Sequence, residues 1–128
     1  MIAVNTEIMT CWPILSKAFW HFCDLYKIDF QSIKTLFSLS DEQLINYHKQ
    51  SVLPQLENYM EIVQYFLRIH AHLHIIFGQQ NQVIYNWLHV KRPEFDDLSA
   101  LEYILKNPEQ VLEKLIHIEN YLKSIVTS

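Results

Sequence analysis

A single glycine, Gly78, and four prolines serve a chain of 128 residues. Folds built from many strands need turn residues at short intervals. Such scarcity predicts long helices joined by short connections. Half of the residues are hydrophobic, enough for a core without metal or disulfide staples. The expectation is an all-α fold, a compact bundle of about six to seven helices. A helix-turn-helix-like region spans 1–53 and a C-terminal helical region spans 54–128, packed together as one unit.

Helical spacing and capping residues set the expected elements. Ile14, Ala18, Phe22 and Leu25, with Phe19 and Trp20 beside them, give an apolar face to a helix from Thr10 to about Tyr26. Asp29 caps a second helix to Phe37, with Phe30, Ile33, Leu36 and Phe37 on its buried side. Ser40-Asp41-Glu42-Gln43 reads as a capping box opening a third helix to about Lys49, which buries Leu44 and Tyr47 or Ile45. Pro54 and Gln55 open the longest helix, which Gly78 stops after Phe77. Its stripe runs Leu56, Tyr59, Val63, Phe66, His70, Leu73, Phe77. A short helix covers Val83 to Leu88, and Arg92-Pro93 breaks it. Ser99-Ala100-Leu101-Glu102 is a second capping box for a helix to Leu105. Asn107-Pro108 caps a last helix to about Val126, with Val111, Leu115, Ile118, Leu122 and Ile125 at heptad spacing.

The net charge is −4, with a pI near 5.9. A dedicated nucleic-acid binder usually carries a basic excess, because phosphate contacts supply much of its affinity. The helices on either side of Ser38-Leu39-Ser40 nevertheless have helix-turn-helix form, with Ile33, Leu36, Phe37, Leu39 and Leu44 to hold them together. A DNA-reading role would fall to Ser40, Gln43, Asn46 and Lys49. Asp41 and Glu42 oppose it, since they stand where base edges and phosphates would lie. Ser38 holds the usual position of a turn glycine, and Lys34 a position where a small residue lets helices approach. The alternative is a helix pair that only packs. Promoter binding and purely structural packing both stay open.

Cys11 and Cys23 lack metal-ligand spacing and read as buried, reduced thiols of a cytoplasmic protein. No basic stretch followed by an apolar run marks a leader, and no run of about 18 apolar residues marks a membrane span. His70 and His74 share a helix face and could grip a metal ion. His72 points elsewhere, and structural zinc needs four ligands. No metal, cofactor or catalytic constellation is therefore expected, and the chain reads as a non-enzyme.

The segment Arg68 to Gly78, then Asn86-Trp87-Leu88, then Lys91-Arg92-Pro93-Glu94-Phe95, then Asp97 to Leu105, and finally Val111 to Leu122 resembles the MbcA/ParS/Xre antitoxin family. Asp29 to Asn46 resembles the helix-turn-helix that precedes this region in many members. Overall the resemblance covers Phe19 to Leu122. Asp97 replaces the family's usual glycine and Ala100 its usual proline. The resemblance implies a bacterial type II antitoxin that occludes the active site of a cognate toxin, typically a RES-type, NAD-consuming one. Many members also bind their own promoter. It implies a toxin-binding region from Trp87 to Leu122, with Trp87, Arg92, Pro93, Leu98, Glu102, Tyr103, Leu115, Ile118, Tyr121 and Leu122 as candidate contacts. Trp87 and the heptad seam nevertheless read first as core, since a single apolar stripe more often packs inward than binds a partner. Family analogy further suggests a homodimer formed through the N-terminal helices, with Trp12, Trp20 or Phe19 exposed. The rivals are a stand-alone DNA-binding regulator and a small metal-binding helical domain.

Overall fold

A computed structural model describes residues 11–127. The fold is all-α. Among the described residues there are seven α-helices, three short 3-10 turns and one two-stranded ribbon. The chain forms two compact units, one ending at Gln64 and one beginning at Tyr65. The division between these units falls inside the longest helix.

The first unit contains α1 (Trp12–Leu25), α2 (Phe30–Phe37) and α3 (Asp41–Gln50). It also takes the first turns of α4 (Glu57–Phe77). The expected Thr10 cap lies outside the described residues. Asp29 caps α2 by accepting from the Ser32 amide at 2.8 Å. Ser40 and Gln43 cap α3 reciprocally, at 3.2 and 3.0 Å. Between these helices Ser38 takes a left-handed conformation (φ 54), so a non-glycine residue fills the turn position that favours glycine. Ile33, Leu36, Phe37, Leu39 and Leu44 are all buried. Phe37 is the junction: it meets Phe19 edge-on at 5.4 Å and Tyr59 at 5.0 Å. The Tyr59 hydroxyl donates to the Phe37 carbonyl at 3.0 Å.

Several expectations here need correction. The helix expected to open at Pro54 begins at Glu57. The Leu53 carbonyl, which would accept the first helical bond, instead accepts the Trp12 indole N–H at 2.8 Å. The Pro54 carbonyl closes a tight turn with the Leu56 amide at 2.9 Å. The Trp20 indole donates to the Val52 carbonyl at 3.0 Å. Trp12 (3% exposed), Trp20 (5%) and Phe19 (0%) are therefore core residues, not exposed dimer anchors. Conversely Ile14, Phe30, Ile45 and Leu56 are exposed, because helical periodicity gives a direction but not a depth. Cys11 is exposed; only Cys23 is buried.

The second unit holds the rest of α4, then α5 (Asn81–Asn86), α6 (Ala100–Leu105) and α7 (Val111–Thr127). Gly78 ends α4 at φ +63, a left-handed backbone suited to glycine. The helix expected over Val83 to Leu88 ends at Asn86 and continues as a 3-10 turn, Trp87–His89. Two strands that the sequence did not announce follow. β1 (Lys91–Arg92) pairs antiparallel with β2 (Leu98–Ser99), Lys91 opposite Ser99 and Arg92 opposite Leu98. Asn107 makes no side-chain cap, because Pro108–Gln110 forms a 3-10 turn ahead of α7. Its amide instead meets the Gln110 side chain at 3.4 Å.

Candidate functional site

The ribbon and the start of α6 share one clasp. Ser99 ends β2 and caps α6, its hydroxyl accepting from the Glu102 amide at 3.1 Å. The Glu102 carboxylate accepts in return from the Ser99 amide at 2.9 Å and from Lys91 Nζ at 3.2 Å. The Ser99 amide and then Lys91 hold the Glu102 carboxyl below its ordinary value.

Between the strands the chain turns tightly. Pro93–Phe95 forms a 3-10 turn, and Asp96 (φ 59) and Asp97 (φ 63) are both left-handed. The Asp97 amide donates back to the Arg92 carbonyl at 3.0 Å, and the Asp96 amide to the Pro93 carbonyl at 3.2 Å. Two successive non-glycine residues in this region carry a backbone cost of about 1–3 kcal/mol each, eased for aspartate by its tolerance of the conformation.

The turn drives Phe95 inward, where it is completely buried. Its ring stacks on Tyr103 at 5.4 Å and meets Tyr121 at 5.5 Å, Trp87 at 6.0 Å and His117 at 6.0 Å. Tyr103 and His117 share a hydrogen bond at 2.7 Å between the hydroxyl and Nδ1. Lys114 Nζ lies over the Tyr103 ring at 4.2 Å and donates to the Tyr103 carbonyl at 3.1 Å. Burial first, and Asp96 second, push the Tyr103 phenol above its ordinary value. The Arg92 guanidinium lies over the Trp87 indole at 4.7 Å.

These distances sort the candidate contacts. Trp87, Leu115, Ile118 and Leu122 are core side chains, beyond a partner's reach unless the unit repacks. Val111 joins them, and only Ile125 of the heptad seam is exposed. Arg92, Leu98, Tyr103 and Tyr121 are half-buried, and Pro93 and Glu102 are exposed. Phe95 was not among the candidates, although it organises the cluster. A phenylalanine after a proline in a charged loop was the available signal.

In the helix-turn-helix-like pair, all four proposed DNA readers are exposed, but the Ser40 and Gln43 side chains are committed to the capping box, which leaves Asn46 and Lys49. Lys34 pairs with the exposed Asp41 carboxylate. This bond gives a role to a lysine that stands where a small residue would be usual.

His70 and His74 face each other edge-on at 4.5 Å. Burial, and then His74, push the His70 imidazole below its ordinary value. Among the described residues no three histidine, cysteine or acidic side chains gather as a metal site. His72 turns away from the pair, with Nε2 at 3.2 Å from the Glu119 carboxylate. Glu119 is 4% exposed. Arg68 and Lys123 each approach it at 3.7 Å. Burial, with Asp24 as a smaller cause, raises the Cys23 thiol far above its ordinary value, which makes it a poor nucleophile.

Among the described residues no helix is long and apolar enough to cross a membrane. Comparison with protein families, with curated proteins and with solved structures finds no match to this chain.

Proposed function

We propose that the chain is a protein-binding antitoxin that neutralises a toxin by covering its active site, the ribbon and adjacent tyrosines forming the contact face. The observation that carries this reading is the Arg92–Ser99 loop. A left-handed aspartate pair on a surface loop, fixed by a ribbon on one side and a buried phenylalanine on the other, is the kind of local strain that concentrates at binding sites. Asp97 also stands where the resembled family has glycine, and its φ of 63 is a conformation that favours glycine. That agreement supports the resemblance at the position where the residue types differ.

The mechanism is steric. A rigid loop with aromatic backing loses little entropy on docking, and an interface of ordinary size buries about 800 Å² per partner. The toxin is a RES-type, NAD-consuming enzyme in the cytoplasm of a bacterium, and the antitoxin itself needs no cofactor. Autoregulation at the promoter is a secondary role and rests on Asn46 and Lys49 with little other basic support.

The test is co-expression with the protein encoded by the neighbouring gene. The expected result is a growth-inhibiting neighbour that copurifies with this chain and loses its toxicity in its presence. A neighbour that neither binds nor is silenced overturns the reading.

A further inference from the structure

Arg92 is the one side chain on the ribbon whose charge has been positioned but not paired. Its guanidinium carbon lies over the Trp87 ring, 4.7 Å from the centroid. Its Nε is fully buried and makes no hydrogen bond. Three carboxylates, Glu94, Asp96 and Asp97, follow within five residues, yet among the described residues none pairs with it. Asp97 bonds to the Arg92 carbonyl through its amide, and the left-handed pair reverses the chain there. By contrast Lys91, its neighbour, is bound to Glu102.

A guanidinium is a planar fork matched to the two oxygens of a carboxylate. Its place over the indole restricts the side chain in advance, so less rotamer freedom is lost when an anion docks. Arginine is also among the residue types most often found to dominate interface energies. We infer that Arg92, set on Trp87, is the anchor that receives a carboxylate side chain of the bound toxin. This inference rests on the antitoxin reading and specifies the chemistry of its contact: the toxin's docking surface must present an aspartate or glutamate to this fork.

The experiment measures affinity between full-length chain and the neighbouring gene's product for wild type, Arg92→Lys, Arg92→Ala and Arg92→Glu. Thermal melts run in parallel. The expected order is a loss of about 10-fold for lysine, which keeps charge without the fork, and about 100-fold for alanine. Glutamate should be weaker still, and raised salt should weaken wild type more than Arg92→Ala. Affinity unchanged across the three variants, with wild type binding, overturns the inference while leaving the antitoxin reading standing. So does a lowered melting temperature in Arg92→Ala with unchanged affinity, which would make Arg92 only a cover for Trp87. Absence of wild-type binding overturns both. A random-sequence DNA duplex retained by wild type and released by Arg92→Glu would reassign the fork to phosphate and overturn the carboxylate proposal.

Discussion

Asp97 bears a local cost that a single substitution can remove. Asp97→Gly relieves the left-handed strain, against a more flexible unfolded chain, and is expected to raise stability by up to about 1 kcal/mol. Asp97→Val, β-branched and ill-suited to φ 63, is expected to lower it by about 1–2 kcal/mol. Denaturant titration of the two variants checks the pair, and equal stabilities would refute the strain argument. Glu102 offers a second residue-level prediction. Its carboxyl is held below the ordinary value by the Ser99 amide and Lys91. A depressed carboxylate contributes stability above its unfolded pKa and loses it as pH falls through the folded one. The clasp is therefore expected to persist at mildly acid pH and loosen only below the usual carboxylate range. A side-chain NMR titration giving a Glu102 midpoint at or above 4.5 would contradict this. Legibility at this scale follows hydrogen-bond range. Asp29, Ser40 and Ser99 could be read as caps because their partners lie three residues away in sequence. The burial of Trp12 and Trp20 could not, since it depends on carbonyls 41 and 32 residues distant.

Elements show the same limit in another form. The capping boxes fixed where α3 and α6 begin, and Gly78 fixed where α4 ends. The start of α4 escaped notice because the indole of Trp12 takes the carbonyl that a helix beginning at Pro54 would have used. The ribbon escaped for a different reason: two residues per strand are too few to show alternation. Yet that ribbon and α6 stand on one serine. Ser99→Ala removes the cap and is expected to cost about 1 kcal/mol, measurable as a lower denaturation midpoint with an unchanged slope. Ser99→Asp restores an acceptor and should recover much of the loss. No change in Ser99→Ala would mean that the strand pairing alone holds the start of α6.

For the whole molecule, the expectation of an all-α chain of six to seven helices holds, since scarce glycine and abundant apolar residues act on every segment alike. Which apolar residues face out was less legible. Ile14 and Ile45 carry the right spacing for burial, whereas the tryptophans expected on a dimer face are in the core. A consequence can be measured. Trp20→Ala is expected to destabilise the protein by about 3–5 kcal/mol, by the same amount at low and high protein concentration. A loss that vanishes at high concentration would return Trp20 to a subunit interface. Of the candidate contact region, the backbone devices were visible in part, through the capping box and Arg92-Pro93. The aromatic hub at Phe95 was not, because its partners come from three separate segments.

The buried carboxylate of Glu119 works as a key for helix register. Arg68 and His72 lie one turn apart on α4 and face Glu119 on α7; Lys123 closes the group from α7 itself. An apolar seam alone tolerates a slip of one helical turn, because leucine and isoleucine exchange for one another at modest cost. A slip moves α7 by about 5.4 Å, which would part Glu119 from at least one of its two partners on α4, while Lys123, on the same helix, moves with it. One acidic residue thus distinguishes the native alignment of two helices from neighbouring ones that the hydrophobic pattern would accept, a role known for polar groups in otherwise apolar seams.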